Sequence, residues 1–244
     1  MIKKLAYSFG AVATALSYQS FSTYIIFFYV DIMKLPVYLA GIAMLIYAVW
    51  NGLNDPLAGY LSDITRTRWG RRIPYLAAGA IPFGIIFFLL WVPPFGRIDQ
   101  VSLLFLYFLF MICLFDGFYT VTILNWASLF PEMYPSLPER TQVNAYRQSF
   151  GMLGLLIGIA LPPLIYGAWG WGWMGACFGA LISVALLIAL WGSHERKEFS
   201  RDRALPLFPA FKATFKNRSF MTFASRKRLP NRLLSMASWS APNI

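Results

Sequence analysis

The chain has 244 residues, of which 58% are hydrophobic and 13% charged, with a net charge of +11. Soluble domains average about 45–50% apolar and about 25% charged residues. The apolar excess here falls in blocks about 20 residues long, the length a helix needs to cross a hydrocarbon core about 30 Å thick. A soluble globule, a disordered chain and a secreted disulfide scaffold are therefore excluded. The positive charge is that of membrane loops rather than of a nucleic-acid binder.

Six apolar blocks run at about 5–30, 37–62, 74–94, 101–130, 143–168 and 173–192. They predict an all-α membrane protein, a six-transmembrane-helix bundle over 1–193. The first block follows Met1, Ile2, Lys3 and Lys4, a signal-peptide-like start. It is too long for a signal peptide and has no clear A-x-A site, so it reads as an uncleaved helix. It carries Thr14, Ser17, Tyr18, Gln19, Ser22 and Thr23. That polar density requires one side to face a wet cavity or another helix.

The second block contains Trp50-Asn51-Gly52-Leu53-Asn54-Asp55-Pro56. An ionisable group at the centre of a spanning helix costs about 2.5–3.5 kcal/mol on insertion scales, so it marks function by default. Asn51 and Asp55 are four apart and share a helix face, with Asn54 flanking it. Pro56 cannot donate to the carbonyl of Gly52, which leaves that oxygen loose. A carboxylate, two amide oxygens and a carbonyl are hard ligands suited to Na⁺, and protonation of Asp55 would suit H⁺ coupling. The other reading of Asp55 is a buried acid bonded to a neighbouring helix for packing.

Between the second and third blocks lies Asp63-Ile64-Thr65-Arg66-Thr67-Arg68-Trp69-Gly70-Arg71-Arg72. Asp63, a tight turn at Gly70, and the paired Arg71 and Arg72 can lock neighbouring helix ends by charge-assisted hydrogen bonds. The plainer reading is a basic membrane anchor. In the fourth block Asp116, beside Gly117, faces either the bundle interior or the outer mouth. Tyr119 and Trp126 are seven apart on one predicted face, with Asn125 adjacent. Such a face either stacks a sugar ring or is packing. Arg147, near the start of the fifth block, is either a snorkelling end residue or an inward cation. Gly151, Gly154 and Gly158 have the spacing of close helix packing. Gly170-Trp171-Gly172-Trp173 reads as a short outer turn with belt tryptophans. Cys113 and Cys177 lie inside apolar blocks and read as inert packing thiols. His194 has no metal-ligand neighbours in sequence, and no phosphate loop, metal-spaced cysteine pair or nucleophile elbow occurs, so no enzyme and no cofactor are expected.

With the N-terminus inside, 19 of the 21 Lys and Arg fall on the cytoplasmic side. These are Lys3 and Lys4; Arg66, Arg68, Arg71 and Arg72; Arg140 and Arg147; and the eleven from Arg196 to Arg232. Lys34 and Arg97 remain outside. The asymmetry predicts a multi-pass protein of the cell (inner or plasma) membrane with both termini cytoplasmic. Residues 194–224 read as a cytoplasmic segment leading toward a missing seventh helix. Residues 225–244 read as a basic, disordered or frameshifted tail.

The pattern resembles the N-terminal half of a major facilitator superfamily transporter, and within it the glycoside–pentoside–hexuronide:cation symporter family, the melibiose permease relatives. The stretches that carry the likeness are Lys4 to Gly10, Phe28-Tyr29-Val30-Asp31, Trp50 to Gly59, Thr65 to Arg71, Pro131-Glu132-Met133 and Glu139-Arg140-Thr141. The resemblance implies a sugar or related polar solute moved with Na⁺, H⁺ or Li⁺ by alternating access. Asp55 matches one of the family's two second-helix carboxylates, and Asn51 stands where the other usually is. Arg147 matches a substrate-site arginine and Tyr119 a fourth-helix aromatic. Ala15 and Ile123 stand where melibiose-type members carry sugar-binding acids. Substrate contact is thus expected at Arg147, Tyr119, Trp126 and Asn125, and cation contact at Asp55, Asn51 and Asn54, with Na⁺ at Asp55 the one metal in view. The expected function is a secondary active symporter, here a truncated half. Its partners would be the lipid bilayer, a small polar solute and a second six-helix half, with no nucleic acid. The alternative is a non-transporting membrane interaction protein or transporter remnant.

Overall fold

The computed structural model describes residues 1–94 and 100–195. The chain divides into two units, Met1–Asp202 and Arg203–Ile244, and every described residue lies in the first. The expectations for Arg97, for 225–244 and for all but the first two residues of 194–224 fall outside the described residues.

The regular structure of the described residues is helical apart from one bridge between Thr67 and Gly70. The elements are α1 (Ile2–Phe27), running on through a π-helical turn at Phe28–Ile32; α2 (Val37–Ile64); α3 (Ile73–Leu89); α4 (Val101–Tyr119), a second π turn at Thr120–Leu124, and α5 (Asn125–Met133); α6 (Leu137–Trp169); and α7 (Trp171–Gly192). Four rods are long and apolar enough to span a bilayer, namely Val37–Ile64, Val101–Met133, Leu137–Trp169 and Trp171–Gly192. The α3 helix is apolar but shorter, at 17 residues. Several edges differ from the hydropathy blocks. The α6 helix starts at Leu137 rather than 143, because Leu137-Pro138-Glu139 open it before its apolar stretch begins. The turn before α7 is Gly170 alone. Trp171 is already helical and stacks on Tyr166 and Trp91 at 4.0 and 5.4 Å.

The α1 helix packs on α6 and α7, α3 packs on α7, and α2 packs on α4. The α1–α6 seam explains the polar residues of α1. Ser20 donates to the Gly158 carbonyl at 3.1 Å and Tyr24 to the Ile159 carbonyl. Ser17 bonds back to its own helix at Ala13. At Gly154 a Cβ would lie 2.7 Å from the Val12 carbonyl oxygen, so only glycine lets the two backbones approach this closely. Cys113 is half-buried and Cys177 is exposed, so only the first is a packing thiol.

Candidate functional site

Two polar rungs cross the α2–α4 seam. In the first, Asp116 is 3% exposed. Its carboxylate accepts from Asn51 Nδ2 at 2.8 Å, Asn54 Nδ2 at 3.0 Å and the Tyr47 hydroxyl at 3.3 Å. Asn54 also donates to the Asp116 carbonyl at 3.2 Å. In the second, Thr120 donates to Asp55 Oδ1 at 2.9 Å. The spacing explains both rungs. Asn51 and Asp55 sit one turn apart on α2, and Asp116 and Thr120 one turn apart on α4. Asp116 therefore faces the interior, at the centre of the Asn51 and Asn54 contacts, a role that the helical spacing of α2 alone does not reveal. No Lys or Arg among the described residues pairs with either acid.

A π turn at Thr120–Leu124 runs through the other half of the expected site. A π turn adds a residue to the helix, and one extra residue rotates everything beyond it by about 100°. Both Tyr119 and Trp126 nonetheless contact α1. Tyr119 lies against Tyr18 and Phe83. Trp126 is buried against α1, its Nε1 donating to the Tyr7 carbonyl at 3.1 Å while the Tyr7 hydroxyl donates to the Trp126 carbonyl at 3.0 Å. Asn125 is 1% exposed and donates to Val121, so the structure does not bring it to a cavity. Ile123 is also buried.

A pocket of about 210 Å³ does open between α1, α5 and α6. It is lined by Thr14, Ala15, Trp126, Asn144, Arg147 and Gln148, together with the small residues Ala11 and Gly151. The Arg147 guanidinium lies 4.7 Å from the ring centroids of both Trp126 and Phe130. Asn144, Arg147, Gln148 and Gly151 follow one helical face of α6, a pattern that would have pointed to Asn144 and Gln148 from sequence.

The loop residues converge as a third cluster. Arg71 Nη2 contacts Glu132 at 2.7 Å and Arg72 Nη1 contacts it at 3.1 Å. Asp63 is farther, 3.6–3.9 Å from the same pair, and largely solvated. Glu195, just beyond α7, accepts from the backbone N–H of Arg71 at 3.0 Å and of Arg72 at 3.1 Å. Gly70 has φ +107°, and a Cβ there would collide with the Glu195 carboxylate. Glycine thus serves both the turn and the acid. Glu132 and Glu195 are the members that the loop sequence does not contain. Nearby, Lys4 pairs with Glu139 at 3.0 Å and tethers the start of α1 to the start of α6. Burial, then the Glu139 charge, pushes the Tyr134 hydroxyl beside them up to about 12.

The described residues thus hold buried acids between helices, a pocket lined by one arginine and a charged cluster at helix ends. A family profile described as MFS/sugar transport protein matches residues 6–226. The chain belongs to that family. It is 34% identical to an uncharacterized symporter of Synechocystis over 66% of this chain and 30% of the relative. It is 26% identical to the isoprimeverose transporter of Lactiplantibacillus pentosus over 88% of this chain and 46% of the relative. It is 30% identical to the sodium-dependent lysophosphatidylcholine symporter 1 of Mus musculus over 67% of this chain and 31% of the relative. The chain thus spans less than half the length of these curated relatives. All three are named as transporters or symporters, in agreement with a multi-pass membrane protein rather than an enzyme.

Proposed function

We propose that the chain forms the first six-span bundle of a cation-coupled transporter for a small polar solute, working by alternating access. The observation that carries the reading is the α2–α4 seam, where Asp55 and Asp116 are held at membrane depth by neutral donors alone. Two carboxylates without a protein cation are costly in a low-dielectric bundle, and a cation from solution offsets that cost. Asp55 supplies the exposed charge. Asp116 draws the amide nitrogens of Asn51 and Asn54 toward itself, which turns their Oδ1 atoms the other way, free to act as ligands. Na⁺ or H⁺ is the coupling ion.

The six spans are α1 with its π turn, α2, α3, α4 through α5, α6 and α7. The basic loops support cytoplasmic termini. The solute, a sugar or a relative of one, meets Arg147 and Trp126 on α6 and α5 and Tyr119 on α4. The Asp63–Arg71–Arg72–Glu132 cluster acts as the cytoplasmic gate. A second six-helix half completes the cavity, since such sites lie where the two halves meet. The test measures Na⁺ binding by the purified chain and counterflow of labelled sugars in proteoliposomes, each repeated with Asp55→Ala. Saturable Na⁺ binding, or a pH-driven equivalent, that Asp55→Ala abolishes is the expected result. Neither cation binding nor counterflow under any gradient would reduce the bundle to a scaffold.

A further inference from the structure

We propose that the turn between α2 and α3 is a seat for a carboxylate, and that Glu195 fills it to hold Arg71 and Arg72 in place against Glu132. Glu195 is then a positioning residue of the cytoplasmic gate, acting through the two arginines. The proposal rests on the transporter reading for the gate itself and adds a tie between that gate and the chain leaving α7.

The seat is built from backbone. Thr67 and Gly70 close the turn with mutual backbone hydrogen bonds of 3.3 and 3.1 Å, and the Thr67 hydroxyl donates to the Gly70 carbonyl at 2.6 Å. Both carboxylate oxygens of Glu195 accept from the Arg71 N–H at 3.0 Å, and one of them also accepts from the Arg72 N–H at 3.1 Å. Successive N–H groups converging on one acid after a left-handed glycine form an anion-binding concavity. The turn leads straight into α3, whose positive end favours a negative charge. Arg72, the residue that caps α3, brings no side-chain acceptor of its own. The Glu195 side chain is only 3% exposed, and its carboxylate occupies the space that a side chain at Gly70 would need.

Each arginine is therefore held at two places. Its backbone is fixed by Glu195 and its guanidinium by Glu132, at 2.7 Å for Arg71 and 3.1 Å for Arg72. The Nε of both is buried without a hydrogen-bond partner, so the stems in between are not pinned. Arg71 Nε lies 3.7 Å from Glu195, beyond hydrogen-bond reach. Loss of Glu195 thus loosens both cations at the backbone end and weakens their grip on Glu132. Glu195 follows Gly192, the last residue of α7, by three positions. The same carboxylate therefore carries a pull on the chain leaving α7 to the arginines.

The test uses the full chain in nanodiscs and follows hydrogen exchange of the Arg71 and Arg72 amides. Glu195→Ala should speed their exchange about tenfold to a hundredfold, the range that a hydrogen bond to a charged group carries. Added formate, a free carboxylate that fits the vacated seat, should restore protection, and chloride at equal ionic strength should not. Gly70→Ala keeps the acid but fills its seat; it should speed exchange as much, with no rescue by formate. Glu132→Gln should lower the melting temperature less in the Glu195→Ala chain than in the unaltered chain, and formate should restore the difference. Unchanged exchange in Glu195→Ala, or rescue by chloride as good as by formate, overturns the seat. Strict additivity of Glu132→Gln and Glu195→Ala overturns the positioning role. These readouts concern the turn alone, so they stand or fall apart from the Na⁺ binding and counterflow that test the transporter reading.

Discussion

Replacing Asp116 with alanine removes the acceptor that three α2 donors share. Interhelical hydrogen bonds in membranes average about 0.6 kcal/mol and reach about 1.7. Three of them, one partner being a carboxylate, put Asp116→Ala at about 2–5 kcal/mol of destabilisation. Asp116→Asn keeps one acceptor oxygen and should cost about 1–2 kcal/mol by the same count. Asn54 should suffer less than Asn51, because it also donates to the Asp116 carbonyl, which survives the substitution. The assay is reversible unfolding in mixed micelles, run as a double-mutant cycle of Asp116→Ala against Asn51→Ala and Asn54→Ala. The Asn51 cycle should show the larger coupling. If Asp116→Ala falls within about 0.5 kcal/mol of the unaltered chain, or the pairs are additive within that margin, Asp116 does not organise the amides and the ion-site reading loses its support.

Glu132→Gln leaves Arg71 and Arg72 facing a neutral group, and breaking such a buried pair costs about 3–5 kcal/mol; the loss should appear in the same unfolding assay and exceed that of Asp63→Asn, whose contacts are longer and wetter. Gly154→Val drives a branched side chain into the Val12 backbone, an overpacking worth about 1–3 kcal/mol. Disulfide trapping between cysteines placed on α1 and α6 should slow accordingly, and an unchanged trapping rate would contradict the close approach. Tyr134 has a raised folded-state value of about 12 against an ordinary 10, so its neutral form is favoured in the fold. The stability it contributes is present below pH 10 and is lost as pH climbs from 10 to 12. Tyr134→Phe should flatten that part of the melting-temperature profile relative to the unaltered chain.

Much of the architecture was legible because lipid imposes it. A helix must hide its backbone from hydrocarbon, so apolar length marks the rods from Val37 to Ile64, from Val101 to Met133 and from Trp171 to Gly192. The same constraint singled out Asp55, since charges within a spanning helix are rare. Local sequence also carried the small-residue seam of α6. Hydropathy could not show where α6 begins, because it reads depth in lipid and not helix ends.

What the tertiary structure alone decided is which polar groups meet. From sequence Asn51 and Asn54 read as ligands beside Asp55, yet their amides reach Asp116, 65 and 62 residues away in the chain. Arg71 and Arg72 find Glu132 and Glu195, not only the nearby Asp63. Asn125 is buried and donates to Val121 of its own helix. Periodicity places a side chain on a face of its own helix. Its partner is fixed only when another helix, far along the chain, presents a face of its own at the same depth.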